Sequence, residues 1–153
     1  MNILFIHQNF PAQFKNLAPE LVRRGHNVTA LFLKRDVGNY SGPINLKFYD
    51  IHRANTKGVH PLALDFESKV IRAEACFARA RSLAKEGYRP DVIIAHPGWG
   101  ESLFLKHIWP HAKLGIYCEF FYRSAGADVG FDPEFDAKDG SDHYGGHLKN
   151  AAM

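Results

Sequence analysis

Short aliphatic runs and stretches of helical period alternate along the chain from its first residues. NILFI at 2–6 is an unbroken apolar run, the pattern of a strand covered on both faces in a parallel sheet. NVTALFL at 27–33, INLKFYDI at 44–51, DVIIA at 91–95 and KLGIYC at 113–118 are predicted as the four further strands. Between the first two runs, Phe10, Phe14, Leu17, Ala18, Leu21 and Val22 recur at helical spacing. Asn9 is a candidate cap for that helix, and Pro11 falls near its first turn. Pro19 inside the helix is expected to bend it, because proline removes the bond to the Lys15 carbonyl. Gly25 stands where a left-handed stop is needed.

KRDVGNYSGP at 34–43 reads as a loop. A long helix is predicted over about 63–86, with Phe66, Val70, Ala73, Phe77, Ala80 and Ala84 on its apolar side and Gly87 with Pro90 ending it. A further helix is predicted over GESLFLKHI, 100–108. Such alternation implies a parallel sheet with helices on both faces. Five strands of this kind most commonly take the order 3-2-1-4-5, a doubly wound, Rossmann-like α/β fold. After Cys118, EFFYRSAGADVGFDPEF shows neither period, and DAKDGSDHYGGH at 136–147 is polar and glycine-rich. One domain is therefore read over 1–135. Residues 136–153 read as a flexible segment and the start of a continuation cut short at LKNAAM.

Composition narrows the class. At 153 residues, 46% hydrophobic and 23% charged, the chain has the make-up of one globular domain with a real core. Its apolar runs are too short to span a bilayer, and MNILFIHQNF lacks the basic n-region and long apolar stretch of a signal peptide. A cytoplasmic location follows as the expectation, with peripheral contact at the inner membrane face as a further option. The two cysteines, Cys76 and Cys118, have no motif spacing and read as buried free thiols. A net charge of +3 is too small and dispersed to argue for nucleic acid.

In an open parallel sheet, ligands bind beyond the carboxyl ends of the strands, where strand order reverses. Each predicted strand here runs into ionisable residues: His7, then Lys34 and Arg35, then Asp50, His52 and Arg53, then His96, then Glu119. Polar residues are common where strands meet water, and that explains Lys34, Arg35, Asp50, His52 and Arg53. His7 and His96 differ, because strands one and four flank the expected switch point. Glu119 should lie close to His96, holding its imidazole in one tautomer. In HPGWGE, Gly98 and Gly100 permit a tight turn and close approach to a ligand. The helix expected from Gly100 would aim free N–H groups into the crevice. Trp99 offers a flat face for a sugar ring, or else packs in the core; Glu101 and Ser102 could cap the helix or accept hydrogen bonds.

Other signals exclude chemistries. His143 and His147 flank two glycines without cysteine or carboxylate support, so no metal site is expected. HQNFPAQF stands where a Walker loop or G-x-G-x-x-G would follow strand one, which disfavours a dinucleotide cofactor. No G-x-S-x-G elbow is present.

MNILFIHQNFPAQFKNLAPELVRRGHNVTAL resembles the amino-terminal opening of family 4 glycosyltransferases, the large retaining group with the two-domain GT-B fold. PDVIIAHPGWGESLFLK looks like that family's later strand ending in histidine. HPGWGE, YCEFFYR and GADVGFDPEF together are similar to a bacterial subgroup of it. The resemblance implies the acceptor-side half of an enzyme moving a sugar from a nucleotide-sugar donor to a glycan, lipid or small-molecule acceptor. It implies no metal and no cofactor beyond that co-substrate, and a carboxyl-terminal GT-B domain of the same protein as partner. His96 matches the histidine that touches the transferred sugar, and with Glu119 it forms the expected catalytic pair. His7, Gln8, Asn9 and Gln13 match the first loop, beside the donor phosphates. Gly98, Trp99, Gly100, Glu101, Tyr122 and Arg123 complete the expected substrate contacts. Many relatives carry Gly-Gly in the first loop, where Asn9, Phe10, Pro11 and Ala12 stand here, so side chains of Gln8, Asn9 or Gln13 are expected to replace backbone contacts. The alternative reading is a stand-alone, flavodoxin-like module that binds a ligand or partner without catalysis; an epimerase of related two-domain fold is a third.

Overall fold

A computed structural model describes residues 1–33 and 42–119, together with residues 121, 123, 148 and 150. Five parallel strands, β1 (Asn2–Ile6), β2 (Asn27–Leu33), β3 (Asn45–Tyr49), β4 (Val92–Ala95) and β5 (Lys113–Ile116), form one sheet in the order β3-β2-β1-β4-β5. This is the expected doubly wound, Rossmann-like arrangement. The expected boundary at residue 135 lies outside the described residues.

Alternate side chains of each strand go to opposite faces, and both faces are covered. Ile3, Phe5, Val28, Ala30 and Phe32 pack with Phe14 and Ala18 on one side. Leu4, Ile6, Leu31, Ile93 and Ala95 pack on the other against α2 (Leu64–Lys85) and α3 (Leu105–Ile108). No helix among the described residues is long and apolar enough to cross a membrane.

Three expectations about the helices change. The first helix does not start at Asn9. The chain turns through 8–11, makes a 3-10 turn at Ala12–Phe14, and only then enters α1 (Leu17–Arg23). Ala12 takes φ +38, a backbone region unfavourable to residues with a Cβ, so the loop reverses sharply. Pro19 therefore sits in the first turn of α1, where its missing N–H breaks no bond, and it need not bend the helix. Gly25, at φ +80, ends α1 as expected.

In α2 the buried stripe is Lys69, Ile71, Ala73, Cys76, Ala80 and Leu83, with Phe66 exposed. Small residues, not the phenylalanines, face the sheet, so the helix axis can lie close to the strands. Phe77 packs at the flank, edge-on to Phe104 with ring centroids 6.2 Å apart. Of the thiols, Cys76 is buried but Cys118 is exposed, because β5 ends at Ile116 and the chain leaves the sheet before reaching it.

The helix expected over 100–108 shrinks to the single turn of α3, preceded by a 3-10 turn at Pro97–Trp99. Gly100, at φ +91, ends that turn against the backbone of α2: a Cβ there would stand 2.4 Å from the Lys69 carbonyl oxygen. Gly100 thus serves contact between loop and helix. Gly25→Ala meets nothing within 4 Å and carries only the left-handed penalty, roughly 1–2 kcal/mol. Gly100→Ala adds overpacking and is expected to lower stability by about 2–5 kcal/mol. Urea unfolding of both variants measures the difference.

Candidate functional site

The two rim histidines are neighbours because the strand register makes them so. Ile6 of β1 pairs with Ala95 of β4, and the His96 N–H donates to the Ile6 carbonyl at 3.2 Å. The next residue on each strand is a histidine. Their rings meet edge to face, centroids 5.3 Å apart and planes at 71°, about the spacing of adjacent strands. They lie at the carboxyl edge beside β1 and β4, where the chain's strand order reverses.

Each ring is oriented by an amide two residues on. Asn9 donates its backbone N–H to His7 Nδ1 at 2.8 Å, and Gly98 donates to His96 Nδ1 at 3.2 Å. A nitrogen that accepts carries no proton, so these partners place both protons on Nε2. Gly98 permits the approach: a Cβ there would lie 3.1 Å from His96 Cε1.

His96 Nε2 lies 3.1 Å from Glu119 Oε2, and Gln13 Nε2 donates to the same oxygen at 3.0 Å. The exposed side chains of Gln13 and Glu119 thus form a polar clasp with His96, while the His7 ring is 4% exposed. His7 Nε2 and Gln8 Oε1 are buried without a hydrogen-bond partner among the described residues. Burial, and next the charge His96 would carry, pull the His7 pKa from 6.5 down to about 4, against the raising effects of Gln13 and Glu119. His7 is therefore neutral at pH 7, a donor with its proton on Nε2.

The rest of the HPGWGE turn faces inward more than the sequence suggests. Trp99 is half-buried, with the Arg72 guanidinium 5.7 Å over its ring, so that face is not free to stack on a sugar. Gly100 is wedged against α2. Glu101 is 1% exposed and accepts a hydrogen bond from Tyr49 Oη at 2.6 Å; Ser102 is buried too. With no long helix starting at Gly100, neither residue caps one. Gly100 and Glu101, expected to touch ligand, support the turn instead.

Asn9 is exposed and contributes its backbone to His7. Asp50, His52 and Arg53 are exposed at the far end of the rim, with Arg53 3.9 Å from Glu67 and 3.8 Å from Glu74. Arg123 is exposed. Lys34, Arg35, Tyr122, His143 and His147 lie outside the described residues. Among the described residues, no group of three or more His, Cys, Asp or Glu side chains converges as a metal site. A cleft at the opposite, amino edge is walled by Arg89, Pro90, Trp109 and Lys113; it contains none of the oriented histidines.

Three rim residues escape the sequence pattern. Phe14 sets its ring edge-on to His7 at 5.9 Å, and Tyr117 stands 6.1 Å from Phe14 and 6.5 Å from His96. Tyr117 was masked by its place in an apparently continuous strand, although an aromatic at a strand end is itself a signal. Tyr49 reads as core and gives no sign of its partner 52 residues away.

Burial of a neutral His7 has a pH signature. The unfolded chain binds the proton near pH 6.5 and the folded chain only near 4. Above pH 6.5 the effect vanishes; stability falls as pH drops from 6.5 toward 4 and levels off below. Between pH 7.5 and 4.5 this contributes a loss on the order of 2–3 kcal/mol. Urea unfolding at the two pH values should show His7→Gln losing that much less than wild type.

A family model described as "Glycosyl transferase family 4 group" matches residues 24–153, a span that includes His96 and Glu119 and excludes the loop after β1. Among curated proteins none matches. Among solved structures, the chain is similar to a UGT transferase from Siraitia grosvenorii in complex with UDP, at 11% identity and a TM-score of 0.42. That similarity covers 76% of this chain but 23% of the other, so the chain spans less than a quarter of its length. With the family model matching well over half of its residues, the chain belongs to the glycosyl transferase family 4 group.

Proposed function

We propose that this chain is the acceptor-side, amino-terminal domain of a retaining GT-B glycosyltransferase. The observation that carries the reading is the pair of oriented imidazoles at the switch point, His96 inside the family match and His7 beside it. The whole enzyme would move a sugar, a hexosyl unit, from a nucleotide-sugar donor to a glycan, lipid or small-molecule acceptor. A carboxyl-terminal GT-B domain of the same protein would hold most of the donor. Neither a metal nor another cofactor is assigned a part. The expected setting is the cytoplasm or the inner membrane face.

The chemistry follows from the proton positions. Retaining transfer builds positive charge on the sugar ring and negative charge on the departing diphosphate. Preorganised donors and acceptors aimed at those charges lower the barrier without reorganising during the reaction. His96 Nε2–H is such a donor, and the Glu119 carboxylate beside it is a negative group close to where the sugar would lie. Ligand binding would open the clasp, with hydroxyls taking over the bonds that Glu119 now shares with His96 and Gln13. Gln8 and His7 behind it supply one acceptor and one donor that have no hydrogen-bond partner among the described residues. Closure of a second domain would exclude water and complete the field.

Removing one preorganised donor of this type costs roughly 100- to 1,000-fold in kcat. In the whole protein, His96→Ala is expected to lower sugar transfer from the nucleotide donor by that factor while the thermal melt and circular dichroism stay unchanged. Full activity in a folded variant would remove His96 from the reaction.

A further inference from the structure

Beneath the His96 turn lies an acid for which the proposed reaction has no use. Glu101 is 1% exposed, and its second oxygen, Oε2, has no partner among the described residues. A lone buried carboxylate is costly, and burial pushes its carboxyl above the usual range, opposed by the Tyr49 bond. Burial and the Glu101 charge push the Tyr49 phenol upward as well, so it stays a proton donor. An apolar pair would fill this space at less cost. A buried polar pair of this kind calls for a role.

The position of that pair supplies one. Tyr49 is the last residue of β3, two strands away from β1, whereas Glu101 follows the turn after β4. Their 2.6 Å bond therefore ties the far end of the carboxyl rim to the His96 turn. The turn is held at two further points: Gly100 lies against the Lys69 backbone, and Arg72 covers Trp99. Between these anchors and His96 stands Gly98, whose amide reaches the ring at 3.2 Å. With no side chain, Gly98 has no means of its own to hold that amide in direction.

We propose that Tyr49 and Glu101 are positioning residues: their buried hydrogen bond holds the 97–101 turn so that the Gly98 N–H meets His96 Nδ1, which acts with the Glu119 carboxylate on the other side of the ring to keep the imidazole proton on Nε2. The consequence for transfer rests on the proposed role of His96. The consequence for the tautomer rests on this geometry alone.

The tautomer is read directly by long-range proton–nitrogen correlation spectra of the full chain labelled with 15N-histidine, with His96 assigned from the signals missing in His96→Gln. Wild type should show His96 protonated on Nε2 and bare on Nδ1. Tyr49→Phe should shift His96 to a mixture of tautomers while His7 keeps its signals. Glu101→Gln preserves an acceptor for Tyr49 and should keep the wild-type pattern.

Tyr49→Phe takes the Oη donor away from buried Glu101 Oε1 and could lose the fold. The paired variant Tyr49→Phe with Glu101→Leu removes both polar partners and should remain folded, with the same tautomer mixture. A wild-type His96 pattern in either folded variant overturns the inference. In the whole enzyme, the tautomer shift should lower kcat by at least about tenfold with KM changed less than about twofold. A shifted tautomer with undiminished transfer would uphold the positioning pair and overturn the role given to His96.

Discussion

The pairing of Ile6 with Ala95 is the constraint on which the site depends. Parallel strands hold their neighbours at a fixed lateral spacing, and side chains at paired positions leave the sheet on the same side. Once β1 and β4 are in that register, His7 and His96 must emerge together. A slip of one residue would send one ring to the opposite face of the sheet. The register is secured by the packing behind it. Leu4, Ile6, Ile93 and Ala95 fill one face with no exposure, and Phe5 fills the other. Core packing and site geometry are thus a single fact seen from two ends of the strands.

Two layers of polar bonding result from that placement. The upper layer is open to water: Gln13, Glu119 and His96 share bonds that solvent can exchange. The lower layer is closed: Tyr49 and Glu101 bond where water does not reach, and Gly100 presses the loop onto α2. Bonds in the first are cheap to break, because solvent competes for their partners. Bonds in the second are costly to break, because any group left alone there stays unsatisfied. A rigid floor beneath an exchangeable surface suits a site that must keep its donors aimed while its contacts turn over.

The central strands were legible because parallel strands covered on both faces are largely apolar, as β1, β2 and β4 are, while the partly exposed edge strands β3 and β5 carry shorter apolar runs. NILFI and NVTALFL match β1 and β2 to the residue. The helices were less legible. In α2 both the phenylalanines and the small residues fall at helical spacing, and only contact with the sheet selects Ala73, Cys76 and Ala80 for burial. After β1, the apolar period of Phe10, Phe14 and Leu17 survives in the structure as packing, although the backbone there is a reversal and a 3-10 turn. Period reports which side chains face the core; it does not report the path by which the backbone brings them there.

For the site, the sequence by itself determined the fold class, the carboxyl-edge location and the histidines at the ends of two strands, because those depend on local apolar runs and on the residues that terminate them. Tertiary structure alone decided that His7 is sealed and neutral, that Trp99 lies under Arg72, and that Glu101 belongs to Tyr49. The physical reason is range. Strand formation is written within a few neighbouring residues, whereas burial and hydrogen-bond partnership are properties of groups that folding brings together from 52 positions apart.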